Sequence, residues 1–289
     1  MGEGTKPVKS KEIRKYFWLL LLPTALAFLV VFFLPFVFGI GLSFTRFTTV
    51  SDAVFVGMDN YREAFATGDF WNALWFTVRF AAVSVISVNV FAFLLALALT
   101  RGIRGTNFFR TVFFLPNLIG GIVLGYIWQL ILNGVLARYG YSLTSNATYG
   151  FWGLVILMNW QMIGYMMIVY IAGIQNVPPE QLEAARVDGA GPLTVLRKIV
   201  LPSVMPSITI CLFLTLTNSF KLFDQNLALT AGAPGGKTQM LALNIYETFY
   251  ARTGAEGVGQ AKAVVFFLMV AAVSFLQLKW TGRKEQEAA

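Results

Sequence analysis

Six stretches of this sequence carry no charged residue at all: Tyr16–Thr45, Phe80–Thr100, Thr111–Ala137, Tyr139–Pro179, Ile199–Phe220 and Ala263–Leu278. Nothing else in the chain constrains the fold as tightly. A helix rising 1.5 Å per residue needs about 20 apolar residues to cross about 30 Å of hydrocarbon. Five of the six runs are long enough. The sixth is shorter, and Lys262 and Lys279 at its ends are placed to snorkel toward the two interfaces. Tyr139–Pro179 exceeds one span, but its opening YGYSLTSNATYG is polar and glycine-rich, so its helix is expected from about Tyr149. The expected fold is an all-α membrane protein with six transmembrane helices. With 12% charged residues among 289, against about 25% in soluble domains, the chain needs lipid to cover it.

Charge placement orients the bundle. With the N-terminus in the cytoplasm, inner segments hold 14 of the 22 basic residues, while the 14 acids divide evenly between the two sides. The positive-inside rule therefore puts both termini in the cytoplasm. The expected organisation is a basic tail at 1–15, a six-helix transmembrane bundle at 16–282 and a C-terminal tail at 283–289. A cleaved signal peptide would have an apolar core of about 7–15 residues; the first run is about twice that, so it is read as a retained helix. The outer segments, roughly 46–73, 133–149 and 221–262, hold no long apolar core and read as loops or short lids. The basic residues form no single patch, which argues against a nucleic-acid partner.

Histidine is absent, and Cys211 is the only cysteine. Histidine chemistry, histidine metal sites and internal disulfides are thereby excluded. No charge falls inside any of the six runs, so an ion path or proton relay lacks its usual parts. A sodium site of backbone carbonyls in a broken helix stays open. An intramembrane enzyme would need a nucleophile and base facing each other, and none is offered. Lys221 and Asp224, at the outer end of the fifth run, read as a rim ion pair or as a contact for another protein.

Between the fourth and fifth runs lies EAARVDGAGPLTVLRKIVLP, Glu183–Pro202. Pro178-Pro179 ends one helix and presets the start of the next. Glu180–Asp188 reads as a short helix with Glu180 and Glu183 near its positive end. Gly189 is suited to the left-handed residue that closes it. Pro192 opens a second short helix with Leu193, Leu196 and Ile199 on one side. The segment 178–202 is thus expected to be a cytoplasmic helix-turn-helix, either a docking element or an ordinary connection.

Glu183, Ala184, Ala185, Gly189, Ile199, Leu201 and Pro202 match the pattern E-A-A-x3-G-x9-I-x-L-P. Asp188 and Ala190 complete its D-G-A variant. This resembles the coupling loop of binding-protein-dependent ABC importer permeases. FDQNLALTAGAPGGKTQMLALNIYETFY resembles the segment after the fifth helix in maltose-type sugar permeases, with F-D-x4-L-T-x-G-x-P falling on Phe223, Asp224, Leu229, Thr230, Gly232 and Pro234. FVGMDNYREAF resembles the same group's outer-loop signature. The sequence departs from the common pattern mildly, at Ala233 and Leu196.

The resemblance implies a transport subunit rather than an enzyme. Its partners would be a second, homologous but distinct permease, two cytoplasmic ABC ATPase subunits and an extracytoplasmic sugar-binding protein, in a bacterial cytoplasmic membrane. ATP and magnesium would be bound by the ATPase partner, and this chain has no G-x-x-x-x-G-K-[ST] phosphate loop. Glu183, Ala184, Ala185, Asp188, Gly189 and Ala190 would form the coupling contact. A sugar path through a membrane wants aromatic faces and uncharged polar groups. MNWQMIGYMM and LTLTNSF supply both. Register within the family carries the path role to Gln161, Tyr165, Thr215 and Ser219, with Trp160 and Asn218 beside them. The same residues could instead join helices through hydrogen bonds.

Overall fold

In the computed structural model, which describes residues 10–288, four helices are long and apolar enough to cross a membrane: Tyr16–Leu42, Gly68–Leu99, Ala147–Gln175 and Glu256–Glu285. Two further candidates are bent helix pairs, so the number of spans lies between four and six among the described residues. In chain order, α1 (Ser10–Phe28) continues through a π-helical turn (Leu29–Phe33) into α2 (Leu34–Leu42). A two-stranded hairpin, β1 (Thr45–Arg46) with β2 (Val54–Phe55), and α3 (Asp59–Ala66) follow at the far end of α2. Asp52 closes the hairpin turn by accepting the Thr48 and Thr49 N–H groups, which hold its carboxyl below the usual carboxylate range. α4 (Gly68–Leu99) and α7 (Ala147–Gln175) form the central pair.

The third run is not one straight helix. α5 (Thr106–Phe114) and a short 3-10 turn meet α6 (Gly121–Ala137) at 103°. Pro116 and the Gly120-Gly121 pair account for the break, since proline lacks the N–H and glycine carries no side chain to pack. α5 then crosses α7 at backbone contact: a Cβ on Gly164 would lie 1.7 Å from the Phe113 carbonyl oxygen.

The segment after α7 holds α8 (Pro179–Val187) and α9 (Pro192–Val195), then a π-helical turn and α10 (Leu201–Ser203). This stretch bends by 69° into α11 (Met205–Phe220), with Pro202 and Pro206 flanking the bend. α12 (Asp224–Leu229), α13 (Leu241–Ala251) and α14 (Glu256–Ala288) complete the chain.

Three expectations are corrected. The last helix runs 33 residues, far beyond Ala263–Leu278, because the residues before Lys262 pack against α13 and the outer hairpin. Lys262 does not snorkel: it is buried, and its Nζ donates to Asn244 Oδ1 and Thr248 Oγ1, each at 2.9 Å. It is therefore a charge inside a candidate span, held by two neutral acceptors from α13. Within the segment read as a basic tail, α1 begins at Ser10; residues 1–9 and 289 lie outside the described residues. At the rim, Lys221 and Asp224 make no ion pair among the described residues, where the pairs are Arg62–Asp59 and Arg252–Asp69.

The principal core is shared by α4, α7, α11 and α12, with Phe80, Val88, Leu157, Met166, Tyr170, Cys211 and Leu229 among its buried members. Small residues let the elements close on one another. A Cβ on Gly125 would come within 2.7 Å of Ala228 Cβ, which is how α12 lies down on α6.

A candidate coupling knuckle and polar path

The α8–α9 knuckle is built by its own sequence. Pro179 starts α8, Glu180 sits in its first turn and Arg186 in its last, so both charges complement the helix dipole. Gly189 has φ +73°. The Ala190 N–H bonds to Ala185 O at 2.9 Å, and the Gly189 N–H to Arg186 O at 3.1 Å. These two bonds make the glycine-closed helix end called a Schellman motif. A Cβ on Gly189 would meet nothing within 4 Å, so glycine is required there by backbone conformation and not by crowding.

One face of the knuckle is anchored and the other is free. Leu182, Ile199 and Val200 pack against the principal core. Glu183, Ala184, Asp188 and Gly189 are exposed, Ala185 and Ala190 are half-buried, and Val187 is 88% exposed at the tip. The coupling residues expected from sequence thus lie together on one turn. Among the described residues, nothing covers the apolar Val187.

The expected path residues fall into two separate groups. From one side of α7, Gln161 meets α12 and Tyr165 meets α5. Gln161 Oε1 accepts from Gln225 Nε2 at 2.8 Å, and Tyr165 packs against Phe114 with ring centroids 6.3 Å apart. Thr215 and Ser219 are fully buried on α11. Thr215 Oγ1 accepts from Asn89 Nδ2 at 2.9 Å and donates to Cys211 O at 2.7 Å, while Tyr170 donates to Asn89 Oδ1 at 2.7 Å. That cluster ties α4, α7 and α11 together. Asn218 and Trp160 face outward, Asn218 bonding back to Leu214 O and Trp160 meeting Trp128 edge-on at 5.5 Å.

Asn89, Tyr170 and Gln225 were not singled out from sequence. Asn89 is a lone amide in an apolar run, a signal that existed. Gln225 and Tyr170 gave none, since their partners lie 64 and 81 residues away. The outer motif is organised by another amide. Asn226 donates to Thr238 O at 2.8 Å and accepts the Met240 N–H at 2.9 Å, while Thr238 Oγ1 bonds Thr230 Oγ1 and Ala233 O. The L-T-x-G-x-P residues therefore make a tightly bonded outer turn.

Residues 89–280 match the family described as binding-protein-dependent transport system inner membrane component. The chain belongs to this family. Among relatives, it is 44% identical over 282 residues to the probable starch degradation products transport system permease protein AmyD of Thermoanaerobacterium thermosulfurigenes, covering 94% of this chain and 96% of that one. It is 28% identical over 286 residues to the trehalose/maltose transport system permease protein MalF of Thermococcus litoralis, covering 95% and 96%. A solved bacterial ABC transporter involved in import of the acidic polysaccharide alginate superposes with a TM-score of 0.80 at 21% identity, covering 94% of this permease and 98% of that chain. At that identity the likeness shows the fold. This permease is accordingly a multi-pass, nearly all-helical inner membrane component of a transport system.

Proposed function

We propose that this permease forms half of the translocation path of an ATP-driven importer for a carbohydrate delivered by an extracytoplasmic binding protein. It has six spans within 16–282 and both termini in the cytoplasm of a bacterial cell. The two bent helix pairs count as the third and fifth spans. The knuckle at 178–202 seats in a cytoplasmic ATPase subunit, one of two, which binds ATP and magnesium. A second, distinct permease completes the path.

The observation that carries this reading is the knuckle itself. A stiff, glycine-closed turn exposes Glu183, Ala184 and Val187 at its tip, while Leu182, Ile199 and Val200 root it in the core shared by α4, α7 and α11. Force applied at the tip reaches the helices that carry Gln161, Tyr165 and Thr215. The first span supports a partner beside the chain, since no residue of Tyr16–Leu42 is buried within the described fold. A carbohydrate is supported by the relatives' names and by the uncharged polar groups along α7 and α11. A phosphate ester would want basic residues there, and Gln161, Tyr165, Thr215, Asn218 and Ser219 offer none.

The test is reconstitution. In proteoliposomes holding this chain, its partner permease, the ATPase and the binding protein, labelled maltooligosaccharide uptake is expected to require ATP and to vanish when the ATPase is omitted. Uptake by this chain alone under a sodium or proton gradient would establish a stand-alone carrier instead. Uptake of glycerol phosphate in preference to sugar would replace the substrate class.

A further inference from the structure

Two adjoining hollows of about 320 and 450 Å³ open between α4 and the outer end of α7, and they share Arg79, Ala147 and Lys237. We propose that this groove holds an acidic phospholipid of the outer leaflet, with its phosphate on Arg79 and Lys237 and an acyl chain along Phe76, Val83 and Phe151.

Charge points to an anion. Neither Arg79 nor Lys237 is in an ion pair among the described residues. Arg79 has only the ring of Trp75 beneath its guanidinium, 5.8 Å from the centroid. One carboxylate, Asp69, lines the outer hollow, and Arg252 already holds it at 3.0 Å. The deeper hollow has no acidic wall. Two unpaired cations above an apolar slot match the two halves of an acidic lipid.

Depth points to the membrane surface. Arg79 is the last charge before the run Phe80–Thr100, so it marks where hydrocarbon begins. Trp71, Trp75 and Trp152 are exposed near the same level, as tryptophans are at membrane interfaces. Below them Ile86, Val90 and Leu94 of α4 are exposed and apolar.

The side of α7 points away from the Gln161 group. Asn159 of α7 donates to Ser87 of α4 at 2.9 Å, whereas Gln161 accepts from Gln225 of α12. The groove belongs to the α4 side and the Gln161 group to the other. A lipid there would brace α4 against α7 on the side away from Gln161.

The experiment uses the full chain in neutral detergent, loaded with an equal mixture of phosphatidylglycerol and phosphatidylcholine and read by native mass spectrometry. Retention of phosphatidylglycerol over phosphatidylcholine is expected. Lys237→Gln should weaken that preference about five-fold, as one basic residue near an anionic lipid surface does. Arg79→Gln with Lys237→Gln should abolish it, and Arg79→Lys should preserve it. Val83→Trp leaves both cations in place, blocks the slot and should still lose the lipid. Equal retention of the two lipids by the unaltered chain would overturn the proposal, as would an unchanged preference in the double variant. Displacement of the lipid by inorganic phosphate would also overturn it, by showing a soluble-anion site.

Discussion

Gly189 shows how much a single residue can decide. Its φ of +73° is open to glycine and costs other L-residues roughly 1–2 kcal/mol, enough to shift the turn's balance by about ten-fold. No neighbour lies within 4 Å of its missing side chain. A larger residue therefore disturbs the turn without colliding with the fold. Gly189→Leu is expected to reach the membrane at normal levels while ATP-driven uptake falls at least about ten-fold; unchanged uptake would mean that this turn transmits nothing. The sequence disclosed this residue because its reason is local: a helix signal before it, proline after it, glycine between. Lys262 was misread because its reason is distant. Its acceptors Asn244 and Thr248 belong to another helix, and residue order says nothing of a pocket assembled in three dimensions.

Among elements, the long uncharged runs yielded helices, and proline and glycine marked the ends of α7 and α8 to within a few residues. The bends were less legible. Pro116 and Gly120-Gly121 stood in plain view, yet a proline inside an apolar run is equally compatible with a mild kink. The 103° turn was settled by what α5 packs against. The α5–α7 crossing depends on Gly164, where a Cβ would sit 1.7 Å from backbone that cannot step aside. Gly164→Ala should destabilise the permease by about 3 kcal/mol, at the upper end of overpacking costs. Gly134→Ala, where an added Cβ meets nothing within 4 Å, should be neutral or slightly stabilising through helix propensity. Thermal unfolding of the purified chain in one detergent compares them, and equal midpoints would contradict the close crossing. The partners of the polar side chains were half legible for a similar reason. Sequence marks amides and hydroxyls in apolar helices, but Gln161 meets Gln225 while Thr215 meets Asn89, which Tyr170 also holds, and that division follows from packing.

At the scale of the whole molecule, two faces are left for others. The first candidate span lies outside the core, and among the described residues nothing covers Val187 at the tip of the knuckle. In the proposed importer, the ATPase subunits would move the buried helices through that exposed tip. Cys211, 0% exposed in the core, provides a built-in blank for testing this, because a membrane-impermeant maleimide should not reach it in the folded permease. In Val187→Cys, that reagent applied from the cytoplasmic side should label the permease alone, and labelling should fall sharply once the ATPase subunits are bound. Labelling that is the same with and without the ATPase in every nucleotide state, or that occurs only from the outer side, would contradict the account.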